Sequence, residues 1–118
     1  MNLNGTWRPV SIKLSGSEYD ASTLQSMELT IADDNFTSDA NGQTEKGKIK
    51  INQGAHPMSI DIIATDGPNV GKVVQAILRL SEEERLMICY SLQNGIRPTE
   101  FASTAENKYF LVIYQKGK

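Results

Sequence analysis

Asn4-Gly5-Thr6-Trp7-Arg8 sets the chain's one tryptophan just after a glycine and just before a run of alternating residues. Small antiparallel barrels place the ring that plugs one end in this position, at the mouth of the first strand. Trp7 is therefore read as a structural residue and not as a ligand contact. Working outward, Arg8, Val10, Ile12 and Leu14 alternate with Pro9, Ser11 and Lys13, the pattern of a half-buried strand. Pro9, which has no N–H to donate, marks an irregular or edge start. Towards the other end, Arg97 in Asn94-Gly95-Ile96-Arg97-Pro98-Thr99-Glu100-Phe101 is expected to cover the indole face. Such a contact contributes about 0.5–2 kcal/mol and would tie the first strand to the last hairpin.

Between these two stretches the chain reads as strands joined by turns. Ser15-Gly16-Ser17 ends the first strand, and residues 20–26, with Asp20 as a capping residue, predict one short helix after it, a lid or plug. Met27 to Ile31 and Asn35 to Asp39 form a hairpin about Asp33-Asp34. Asn41-Gly42 fits a type I′ turn, because both residues tolerate positive φ, and it leads into Lys46 to Ile51, with lysines on one face and isoleucines on the other. Ser59 to Thr65, Lys72 to Leu80, Arg85 to Leu92 and Tyr109 to Lys116 complete about eight strands. Sequential hairpins of this kind predict one all-β domain over residues 1–118, an antiparallel up-and-down barrel with low helix content. The expected interior, from Met27, Leu29, Ile31 and Phe36 through Ile49, Ile51, Ile60 and Ile62 to Leu78, Leu80, Leu86 and Ile88, is bulky and aliphatic. An eight-stranded barrel is about wide enough to be filled by such side chains or to hold one small ligand, and filling is the expectation here.

Composition narrows the function classes. The 118 residues carry 12 Lys and Arg against 14 Asp and Glu, a formal net charge of −2, with no basic run to neutralise phosphates, so nucleic acid is not an expected partner. No stretch approaches the ~18 apolar residues of a membrane span. The given N-terminus lacks the pattern of a secretory leader. The expected location is cytoplasmic if that terminus is native, and secreted or periplasmic if a leader has been removed. Cys89 is the single cysteine and has no internal disulfide partner.

Gly5-Thr6-Trp7, Ile60-Asp61-Ile62, Asp66-Gly67-Pro68-Asn69-Val70-Gly71-Lys72, Leu86-Met87-Ile88-Cys89-Tyr90 and Arg97-Pro98-Thr99-Glu100-Phe101 occur in this order through essentially the whole chain. In these features the sequence resembles a family of small, functionally uncharacterised lipocalin-like domains abundant in planctomycete bacteria. The resemblance implies the barrel and brings no activity or catalytic residues.

No arrangement for catalysis, metal or cofactor emerges from the residues. Asp66 to Lys72 is not a phosphate loop: three residues separate Gly67 from Gly71, Val73 stands where a hydroxyl would hold magnesium, and a strand follows where a helix is needed. His56, the one histidine, reads as a solvated loop residue, and Cys89 as a small buried hydrophobe with a quiet thiol. Asp33, Asn35, Thr37 and Asp39 alternate as a solvated strand face and lack the carboxylates of a calcium loop. Glu82, Glu83 and Glu84 form a charged hairpin tip.

The sequence thus predicts a non-catalytic binding module, recognising a protein partner in an inhibitor, immunity-like or accessory role. The alternative is a carrier or sensor of a small apolar ligand held in the barrel mouth. An enzyme would have only isolated groups such as His56, Cys89 and Asp61. Counting hairpins alternately puts the 20–26 segment, Asn41-Gly42, 66–71 and 94–104 at one end, with Asp33-Asp34, 53–57 and 81–84 at the other. The longer loops make the first end the expected binding end, with Tyr19, Leu24, Asn69 and Asn94 as candidate contacts.

Overall fold

A computed structural model of the chain describes residues 3–20, 24, 26–40, 42–67, 70–81, 83–91, 96–107 and 109–117. Among them lie nine strands: β1 (Gly5–Leu14), β2 (Ser17–Glu18), β3 (Met27–Ala32), β4 (Asn35–Ala40), β5 (Gln43–Asn52), β6 (Met58–Asp66), β7 (Val73–Leu80), β8 (Arg85–Ser91) and β9 (Phe110–Lys116). Every pairing is antiparallel between neighbours in sequence, except that β1 pairs both β3 and β9. The protein is therefore an all-β, closed, eight-stranded up-and-down barrel, with β2 a two-residue ribbon laid on the end of β1.

Closure depends on β1 dividing its length. Gly5, Thr6 and Trp7 pair with Ile31, Thr30 and Leu29 of β3, while Trp7 to Leu14 pair with Lys116 to Phe110 of β9. The ladder to β9 shifts register between Pro9 and Ser11. Such a bulge puts one extra residue into the strand and moves the following side chains to the other face. Trp7 and Pro9 point inward before it and Ile12 after it, and Val10, the extra residue between them, is exposed. The proline belongs to an irregularity, not to an edge.

Turn chemistry fits the connections. Asp33 adopts φ 56° between β3 and β4, and Gly42 φ 80° between β4 and β5, so each hairpin turns on two residues. The helix predicted over 20–26 falls mostly outside the described residues; within them, the Leu24 N–H donates to the Asp20 carbonyl at 3.2 Å. The inward positions predicted on β3 to β8 all join the core, the mid-strand ones buried and Met27, Ile51, Ile62 and Leu80 packed against it.

Trp7 is 1% exposed in that core, its Nε1–H donating to the Leu3 carbonyl at 2.8 Å. Leu3, Leu78 and Leu86 are buried in the same cluster, towards the end at which β1 begins. Arg97 does not cover Trp7. The cation over the indole is the Lys116 ammonium, 5.9 Å from the ring centre, supplied by the β9 residue that pairs with Trp7. Arg97 instead donates to the carbonyls of Ile60 (3.2 Å) and Ala76 (2.9 Å) and pairs with the Asp61 carboxylate. The reason lies in the path of the chain after β8, which turns back along the outside of the barrel. Residues 96–107 form a strap with Arg97 on β6 and β7, Pro98 buried, the Ala102 carbonyl 3.6 Å from the Cys89 sulfur on β8, and Ser103 Oγ accepting from the Gly16 N–H. Ile77 and Cys89, on the outer face of the wall, are consequently as buried as the interior.

Candidate functional site

Strand alternation carries one set of side chains into the barrel, and in the half nearest the long loops these do not fill it. A cavity of about 260 Å³ remains, in place of the expected filled interior. Its floor is Ile31, Phe36, Ile49, Ile60 and Ile88, and its walls rise past Ile62 to Met27, Val74 and Phe110. These last residues lie at or beside the strand ends that face the 19–26 and 67–72 connections. Among the lining residues Ser38 on β4 is the smallest, and on β5 the next inward position after Glu45 is Gly47, against which the Phe36 ring packs. Gly47 cannot be enlarged, since a Cβ there would come within 2.0 Å of the Ile63 carbonyl oxygen and 2.6 Å of the Phe36 ring.

Among the described residues, four polar side chains line the cavity. Ser38 and Glu45 stand directly opposite each other across β4 and β5, towards the open end. Tyr90 and Tyr114 reach each other inside, their hydroxyl oxygens 2.8 Å apart. One hydroxyl donates to the other, so the acceptor of that bond keeps its own proton for a third group. Burial pushes the Tyr114 phenol up to about 12, and burial with the nearby Tyr114 raises Tyr90 well above its ordinary value. Both are neutral donors at physiological pH. No Lys, Arg or His is among the described residues lining the cavity.

Of the candidate contacts, Tyr19 is half-buried with its ring edge-on to Phe110 at 6.3 Å, and Leu24 packs on the core. Phe110 in turn lies 5.6 Å from Tyr90, so Tyr19 belongs to the aromatic group at the cavity's open end. Asn69 and Asn94 lie outside the described residues. The structure does not bring His56, Cys89 and Asp61 together: His56 is exposed in the connection at the closed end, Cys89 sits under the strap, and Asp61 is paired with Arg97 on the outer wall.

Ser38, Glu45, Tyr90 and Tyr114 were not singled out in the sequence, although a signal was present. Counting by twos from Phe36 reaches Ser38, and counting back from Ile51 and Ile49 reaches Glu45, which places two polar residues on otherwise apolar inward faces. No family model matches the chain, nor does any curated protein or solved structure.

Proposed function

We propose that the barrel is a carrier or sensor of one small, mainly apolar ligand, bound without catalysis in the open half of its interior. The carrying observation is the cavity of about 260 Å³, walled by aliphatic and aromatic side chains with one hydroxyl pair inside. It falls just below the ~300–1,000 Å³ of ordinary small-molecule sites and has their make-up, an apolar lining with a few placed polar groups. A cavity of about 150 Å³ takes benzene, so by proportion this one suits a ligand of about ten heavy atoms. The resemblance to lipocalin-like domains points the same way, and the isolated positions of His56, Cys89 and Asp61 support a non-catalytic role. A protein partner docking at the same end is the second reading, favoured by Val70 and Val73, both exposed in and beside the 67–72 connection.

The test is a methyl-detected NMR titration with 1-octanol. Shifts at Ile62, Val74 and Ile88, abolished in Val74→Trp at an unchanged melting temperature, are the expected result. Shifts confined to outer-wall methyls, or equal binding by the occluded variant, would overturn the cavity as the site.

A further inference from the structure

We infer that the cavity selects its ligand by charge, taking amphipathic amines whose apolar body enters the barrel and whose ammonium stops at the Ser38–Glu45 pair. The inference rests on the cavity being the ligand site and adds the class of ligand.

Three observations carry it. First, the described lining contains one charged side chain, the Glu45 carboxylate, and no cation. An anionic headgroup drawn into this space would lose hydration with no cation among the described lining residues to replace it, and it would face the Glu45 carboxylate. Second, Glu45 sits opposite Ser38 in the β4–β5 ladder, and side chains directly opposite on one face have Cβ atoms about 4.5–5.5 Å apart. One ammonium, with three N–H donors, can therefore reach both the carboxylate and the hydroxyl and give its third proton to water. A carboxylate has about four acceptor positions, so this role leaves room for other bonds that Glu45 makes. Third, the pair lies two residues in from the β4–β5 turn. A headgroup there stays partly hydrated while the chain behind it occupies the apolar floor, which keeps the desolvation cost of the cation small. Deeper in, the Tyr90–Tyr114 pair offers a neutral donor to an ether, hydroxyl or carbonyl oxygen on the ligand body.

The experiment compares three probes of one shape, octylamine, 1-octanol and octanoate, by calorimetry at pH 7 against the wild type, Glu45→Gln and Glu45→Lys. The expected order for the wild type is octylamine tightest, octanol about five- to tenfold weaker, and octanoate weaker again, a spread suited to one partly hydrated ion pair. Glu45→Gln should bring octylamine down to the octanol affinity. Glu45→Lys should place octanoate above octylamine. Octanol binding to the wild type reports that the cavity takes a neutral chain, and unchanged melting temperatures report that both variants are folded. If octanol binds while the wild type does not prefer the amine, or if the preference survives in Glu45→Gln, charge selection fails and the cavity reading stands. If none of the probes binds the wild type, both fail together.

Discussion

Trp7 is held by groups that its sequence neighbours do not predict: the Leu3 carbonyl on its indole N–H and the Lys116 ammonium near its face. The two should differ in weight. Truncating a buried ring costs ~3–5 kcal/mol in other cores, so Trp7→Ala should lose about that much in a denaturant titration. Lys116→Met, which removes only a cation at a partly hydrated site, should lose about 1 kcal/mol or less. Equal losses would mean that the cation, not burial, fixes the closed end. Tyr114 makes a prediction about pH. Below its unfolded value of 10 the phenol is protonated in both states, and its contribution to stability is fully present. Between 10 and its folded value of about 12, the unfolded chain releases the proton while the folded chain keeps it. Stability should fall through this window by about 2–3 kcal/mol, with Tyr90 acting in the same direction. Tyr114→Phe should flatten the fall relative to wild type; an unchanged alkaline profile would place the titrating group elsewhere.

The strap is the element whose role depends most on a single side chain. Arg97 satisfies two strand carbonyls and a carboxylate at once, and beneath the strap burial pushes the Cys89 thiol up, with the Glu100 carboxylate adding to the effect. The native thiol should resist alkylation, and Arg97→Met should speed its labelling while the global melting temperature changes little. Fast labelling of the wild type would contradict the strap's cover. Gly47 sets a second element, the bulged start of the β5–β6 ladder. Gly47→Ala should cost about 3 kcal/mol or more, at or above the top of the range for overpacking, because the added Cβ meets a backbone carbonyl and not a flexible side chain, as read by thermal melting. The strands themselves were legible because period-two runs and positive-φ turns are local properties of the chain: Met27 to Ile31, Asp33 and Gly42 each carry their own signal. The strap was not, because residues 96–107 have no period and take their partners from carbonyls and a thiol far away in sequence. The bulge at Val10 was not legible for a related reason, since a bulge is a fact about the partner strand as much as about β1. The cavity escaped because its volume depends on how residues from several strands, Ser38, Ile62, Val74 and Phe110 among them, meet across the barrel.

At the scale of the molecule, the strap divides the barrel into unlike halves. At the middle of β7 and β8 the wall is buried on both sides: Ala76, Leu78 and Ile88 within, and Ile77 and Cys89 on the outer face, the latter beneath the Ala102 carbonyl of the strap. At β5 the inner face carries Ile49 and Ile51 with Glu45 near its open end, while Lys46, Lys48 and Lys50 stand in water outside. Amides shielded on both faces open only with most of the structure, whereas those behind a single layer open locally at lower free energy. Hydrogen–deuterium exchange should therefore run slowest in β7 and β8 and fastest in β4 and β5; uniform protection around the barrel would contradict this. The fast side carries Ser38 and Glu45. With exchange in that order, the wall that opens most readily is the one whose strands hold the polar pair, and a ligand of the proposed kind would enter by briefly parting β4 from its neighbours while the strapped side keeps its shape.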